Sequence, residues 1–365
     1  MTGRERFLTA ISNGKPDRLP CQVHSWMQYY LDTYLHGMDQ YRAYEYFDMD
    51  PVIYVSPRFI YDEHDLADWI VDNRDLGYDD DGNRVWERII ITPEGVLTEK
   101  GAVNKYTEWI TECIIKDEKD FELWNKYVPL PAQVDWSPVI EAKRRIGDSG
   151  IVRSGYFDFG QGSPWQSFVN MYGTENAIMA CFDKPDWLHY VLDSMLKKKL
   201  TVIERGGRIE LDLVETGGGA GSSTVISPTL HKEFCLPYDQ IQHKALHEAG
   251  TKVVYHLCGG LMPLLDIVAQ NGADGLETMT PPAMGGDCNL AEADRQVGDK
   301  LFFIGGFDQN AGFEKGNPKS VKEMVYKLHT SCPNGGYICS PSDHFFFGDP
   351  ENIKAFVEAA RECVY

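Results

Sequence analysis

The sequence predicts an α/β fold: a (β/α)₈ barrel with an N-terminal helical segment and a β-hairpin insertion. Three observations carry that expectation. Short apolar, β-branched runs recur along the chain; helix-length segments separate most of them after Ile151; and polar residues keep falling at their carboxyl ends. An open doubly wound sheet is the alternative arrangement of the same elements.

Phe7, Leu8 and Ile11 fall at helical spacing before the turn Asn13-Gly14-Lys15-Pro16-Asp17. Leu19 to His24 reads as the first strand, and Trp26, Tyr29, Tyr30 and Tyr34 as an aromatic helical stretch. Val52 to Val55 is a second strand by its β-branched content. From about Leu66 to Cys113 the pattern becomes antiparallel hairpins, with Val85 to Ile91, the turn at Pro93-Glu94-Gly95, and Tyr106 to Ile110. This insertion is placed to cover a site. The strand Ile151–Tyr156 follows, then a helix from about Pro185 to Glu204, and the strand Leu211–Glu215 running into Gly217-Gly218-Gly219-Ala220-Gly221. A helix from Pro228 to Glu248 leads to the strand Val253–His256. Asp274–Glu277, Leu301–Gly305 and Gly336–Cys339 bring the strands to about eight. Tyr156, Glu215, His256, Glu277, Asp308 and Cys339 would then ring one mouth of a single domain spanning 1–365, with 66–113 as its lid.

The net charge of −20 repels nucleic-acid phosphates and anionic membrane surfaces. Nine scattered cysteines and a start without a signal-peptide core suggest a reduced, cytoplasmic protein. No apolar run approaches the roughly 20 residues that cross a bilayer.

The stretch Tyr255-His256-Leu257-Cys258-Gly259-Gly260 places an imidazole and a thiol two positions apart where an apolar run ends. Residues two apart in a strand point to one side, so both would reach one ion. Cys339, before a proline turn, repeats the layout and supplies a third donor. Either cysteine alone would be ordinary core; the trio suits Zn²⁺ with an open fourth position. Glu215 and Glu277 end apolar strands, where a carboxylate is costly unless paired or metal-bound, so each is a fourth ligand, an acid/base group or a partner of a nearby cation. The glycine run Gly217 to Gly221 lacks the Lys-Ser/Thr of a phosphate loop and suggests close approach to a bulky ligand instead. Trp26, Tyr29, Tyr156, Phe159, Asp308 and His344 are candidate substrate contacts. Aromatics at strand ends are usually core; at a mouth they suit an aromatic substrate or a macrocycle.

Pro16-Asp17-Arg18-Leu19-Pro20, Ser227-Pro228, Leu236-Pro237-Tyr238, His256-Leu257-Cys258-Gly259, Gly305-Gly306-Phe307-Asp308, and Gly335-Gly336-Tyr337-Ile338 followed by Glu351-Asn352-Ile353 together resemble the uroporphyrinogen decarboxylase superfamily. That resemblance implies a (β/α)₈ barrel. The decarboxylases proper carry an Arg-Gln-Ala-Gly-Arg segment for porphyrin carboxylates, where this chain has Trp26-Met27-Gln28-Tyr29-Tyr30. Its His-x-Cys…Cys pattern is instead similar to the corrinoid-dependent methyltransferase branch, which implies His256, Cys258 and Cys339 as zinc ligands. It also implies a separate corrinoid (cobalamin) protein as partner, because Asp62-Glu63-His64-Asp65-Leu66-Ala67 falls short of a complete cobalamin motif. The expected activity is removal of a methyl group from a methoxylated aromatic, as in the methyltransferase I of O-demethylase systems. Two alternatives are a methylcorrinoid:thiol (coenzyme M-type) methyltransferase and a porphyrin-type decarboxylase.

Overall fold

A computed structural model describes residues 1–155 and 162–365. Its strands, in chain order, are β1 Val52–Tyr54, β2 Arg58–Ile60, β3 Ile70–Tyr78, β4 Arg84–Thr92, β5 Gly95–Val103, β6 Glu108–Glu112, β7 Gln133–Asp135, β8 Ile151–Gly155, β9 Leu213–Gly217, β10 Lys252–His256, β11 Gly275–Thr278, β12 Phe302–Phe307 and β13 Tyr337–Pro341. β1 and β8 to β13 pair in that order into one parallel sheet. The segment around Cys21 joins its far end: Cys21 bridges Cys339, and the Gln22 N–H donates to the Cys339 carbonyl at 3.0 Å. The sheet therefore curls into a barrel-like α/β fold. Among the described residues no backbone pairing joins the Cys21 segment to β1, so a seam remains there.

Parallel strands need long crossovers, and amphipathic helices supply them. The helix Pro185–Gly206 buries Leu188, Val191, Leu192, Met195, Val202 and Ile203 along one stripe, each buried aliphatic side chain contributing about 1.5–3 kcal/mol. Lys199 lies fully buried in the same stripe. The helix expected from Pro228 to Glu248 is instead two, Pro228–Phe234 and Leu236–Glu248. Pro237 has no N–H to donate back and its ring crowds the preceding turn, so the chain bends at Cys235.

β3, β4, β5 and β6 form a separate antiparallel sheet with Val71, Ile90 and Leu97 in register. Ile90 and Leu97 pack on Ile114, Phe121 and Trp124. Beyond β5, Tyr106 reaches the loop after β13, with its ring 4.8 Å from Tyr29 and 5.6 Å from Phe347.

Candidate metal centre

Inward positions of the curled sheet alternate along each strand, and they set Tyr54, Arg153, Glu215, His256 and Glu277 towards one interior. Tyr54 and Arg153 are register partners on adjacent strands, as are His256 and Glu277. The fully buried Arg153 ties this layer together. Its Nη2 donates to Glu215 Oε2 at 2.9 Å and to Glu277 Oε1 and Oε2 at 2.9 and 2.8 Å. Its guanidinium stacks 4.8 Å from the Tyr54 ring centre. His256 Nδ1 lies 3.1 Å from Glu277 Oε1 and 3.5 Å from Glu215 Oε1.

His24, from the segment before the first helix of the barrel, completes the group. His24, His256 and Glu277 each offer a donor atom within 4.8 Å of the others, and all three are buried. The His344 ring lies 4.8 Å from His24, while Ser25 Oγ holds its Nδ1 at 2.8 Å. That hydrogen bond leaves Nε2 of His344 for another partner.

Burial would raise the Glu277 carboxyl, but the charge of Arg153 and the hydrogen bond from His256 hold it well below the usual range. Glu215 moves up, through burial and the neighbouring charge of Glu277. Burial opposes charge on His256, yet its contacts with Cys258 and Glu277 and the Glu215 charge keep its pKa well above the ordinary value. His24 is lowered by burial and therefore neutral, the form in which imidazole ligates. The guanidinium of Arg153 and the charge held on His256 together offset the two carboxylates, so a metal ion bound here would take the place of the His256 proton. After Glu277 the backbone is strained: Thr278 and Met279 have φ of +79° and +44°. A β-branched residue rarely takes that conformation, which concentrates at functional sites.

The structure does not bring His256, Cys258 and Cys339 together. β10 ends at His256, so Cys258 is already in the loop and the two-residue periodicity no longer applies. Cys258 remains half-buried beside His256. Cys339 lies fully buried on the outer face of β13, among Cys21, Tyr337 and Cys363, and burial raises its thiol well above the ordinary value. The glycine run also serves the chain itself rather than a bulky ligand. A Cβ on Gly217 would stand 2.5 Å from the His256 carbonyl, and one on Gly219 2.5 Å from Cys258 Sγ.

Of the expected substrate contacts, His344 joins the cluster. Trp26 stacks on Phe47 at 5.5 Å, Tyr29 packs on Tyr106, and Asp308 accepts from the Ala311 N–H at 2.9 Å. Tyr156 and Phe159 lie outside the described residues. Sequence reasoning missed His24, Arg153 and Tyr54, although a charged residue inside the apolar run of β8 was a readable signal.

The sequence model of the uroporphyrinogen decarboxylase (URO-D) family matches residues 158–363. A uroporphyrinogen decarboxylase of Neisseria meningitidis is 29% identical over 197 residues, 50% of each chain. One of Pseudomonas putida is 24% identical over 275 residues, 66% of this chain and 70% of the relative. The match to the meningococcal relative thus spans half that protein's length. Among solved structures, a methyltransferase from Methanosarcina mazei covers 99% of both chains at 15% identity, with a TM-score of 0.65, a likeness of fold. With its family match extending over more than half of its length, this chain belongs to the uroporphyrinogen decarboxylase family.

Proposed function

We propose that the protein is a metal-dependent methyltransferase that takes a methyl group from a methoxylated aromatic and passes it to a corrinoid carried by a separate protein. The observation that carries this reading is the buried cluster of His24, His256 and Glu277, whose donor atoms lie within 4.8 Å of one another. Two imidazoles and a carboxylate suit a catalytic Zn²⁺ that keeps one position for substrate. When bound, the ion would supply positive charge to the ether oxygen as the aryl oxide leaves. Arg153 keeps Glu277 ionised and fixed, Ser25 orients His344, and the buried surroundings exclude bulk water.

The curated relatives are uroporphyrinogen decarboxylases, and that activity is the second reading. A polycarboxylate substrate needs cations free to grip it. The charge of the guanidinium at this site is already offset by two carboxylates that pair with its Nη2, which favours the methyltransferase. Transfer in the opposite direction, from methylcorrinoid to a thiol, would use the same metal.

The test is methyl transfer from 2-methoxyphenol to a reduced corrinoid protein, with bound zinc measured in parallel. About one zinc per chain is expected, with both metal and transfer lost in His256→Ala and both retained in Cys339→Ala. Transfer surviving in zinc-free protein would refute the reading. Methylation of a thiol with no demethylation would reverse its direction.

A further inference from the structure

The antiparallel sheet of β3 to β6 packs one face on neighbouring helices, and its register sets two kinds of row on that face. Val71, Ile90 and Leu97 pair across three strands as an apolar row; in the next row Asn73 stands opposite Arg88, and Arg88 opposite Glu99. A packed sheet face is ordinarily apolar throughout. Here the polar row lines a cavity of about 530 Å³, together with Tyr61 and Trp69, Trp124 of the helix Glu118–Tyr127, and Met171 of the helix Pro164–Tyr172. Small-molecule sites typically measure about 300–1,000 Å³. The lining contains no member of the His24, His256 and Glu277 cluster.

Two features make it more than a packing gap. Glu99 Oε2 accepts from Arg88 Nη1 at 3.0 Å, while Oε1 accepts no hydrogen bond among the described residues. The Glu99 side chain keeps 11% of its exposure, so the carboxylate reaches the cavity instead of being sealed behind its wall. A carboxylate held among apolar groups is costly until its oxygens are satisfied, and burial raises this one above its ordinary pKa. The second feature is charge. Arg88 offsets Glu99 and donates through Nε to Asn73 Oδ1 at 3.3 Å. The polar row is therefore closed to a further ion yet still has an acceptor to offer. Around it, the rings of Tyr61, Trp69 and Trp124 supply rigid apolar contact.

We infer that this cavity is a second binding site, for a small uncharged aromatic molecule carrying an N–H or O–H donor, with Glu99 as the acceptor. A cationic ligand would compete with Arg88 for the carboxylate, and an anionic one would have to break the pair. An uncharged ring leaves the pair intact. Its donor group fixes the orientation on Glu99, and its apolar body replaces water against the rings. A molecule seated here touches both the sheet and the helix Pro164–Tyr172, so it fastens the insertion to the rest of the chain. The inference is independent of the metal centre and of the methyl transfer proposed above.

Calorimetric titration of the full chain with indole and with 1-methylindole tests it, because the two share a ring system and only indole donates. The wild type should bind indole about tenfold more tightly, as one hydrogen bond to a carboxylate allows, and His256→Ala should bind it equally well. In Glu99→Leu the preference should vanish while 1-methylindole binds as before, with the thermal midpoint confirming the fold. Trp69→Ala should weaken both ligands together, and it decides the matter if Glu99→Leu does not fold: unchanged affinities in Trp69→Ala overturn the inference. So does a preference that survives in Glu99→Leu, a wild type that binds neither ring or both alike, or loss of indole binding in His256→Ala, which would place the ring at the metal centre. Each of these leaves the methyltransferase reading standing.

Discussion

Arg153 shows how a single residue sets the character of the site. It is wholly buried, and the two carboxylates it pairs, Glu215 and Glu277, carry the charge that would otherwise be stranded in the interior. Removing one member of such a network leaves an uncompensated buried charge, at a cost of about 3–5 kcal/mol. Arg153→Leu should therefore destabilise the protein by that amount, read from its urea unfolding midpoint; an unchanged midpoint would mean that the network is not held as described. Residue identity was partly legible in the sequence. Glu215, His256 and Glu277 stood out because polar groups at the ends of apolar strands need a reason, and His344 because it lies just beyond such an end. Cys339 misled, because the parity of a strand decides whether a residue faces the interior, and a buried cysteine suits either face. His24 closes the first segment in the same manner as the others, but no neighbouring motif singled it out.

At the level of elements, β10 separates two layers of different chemistry. Its inward face carries His256, and its outward face packs Tyr255 towards Asp239 on the helix Leu236–Glu248. Burial pushes Asp239 up to about 7 and Lys199 down to about 7. Between pH 3.8 and about 7 the folded state keeps a proton on Asp239 that the unfolded chain has lost, so this group's contribution to stability declines as pH rises through that window. Between about 7 and 10.5 the unfolded chain keeps a Lys199 proton that the folded protein has lost, so stability recovers. Asp239→Asn should abolish the acid-side decline in a series of unfolding midpoints across pH, and persistence of that decline would assign it elsewhere. The glycine loop after β9 is the other element that positions the site. With φ of +85° and the His256 carbonyl 2.5 Å from where a Cβ would stand, Gly217→Ala should cost about 1–3 kcal/mol and weaken zinc retention by shifting His256. Full zinc and full stability in that variant would show that the loop does not support the ligand. The sequence exposed the glycines but not their target, since close approach to a ligand and close approach to the chain leave the same signature.

Over the whole molecule, short apolar, β-branched runs and helix-length spacers identified the barrel-like α/β fold, and seven of the expected strands pair in one parallel sheet. The seam escaped sequence analysis for a physical reason: closure depends on backbone pairing between the first segment and β1, which side-chain pattern does not encode. The same gap separates the site that the motif implied from the one the fold builds. A zinc held by cysteines at the strand ends and a zinc held by imidazoles and Glu277 inside the mouth would differ in their donor atoms, and this difference is directly measurable. Zinc K-edge X-ray absorption of the purified protein should show nitrogen and oxygen donors at about 2.0–2.2 Å and no sulfur, as two histidines, a carboxylate and an open position require. A zinc–sulfur distance of about 2.3 Å would contradict the His24, His256 and Glu277 centre.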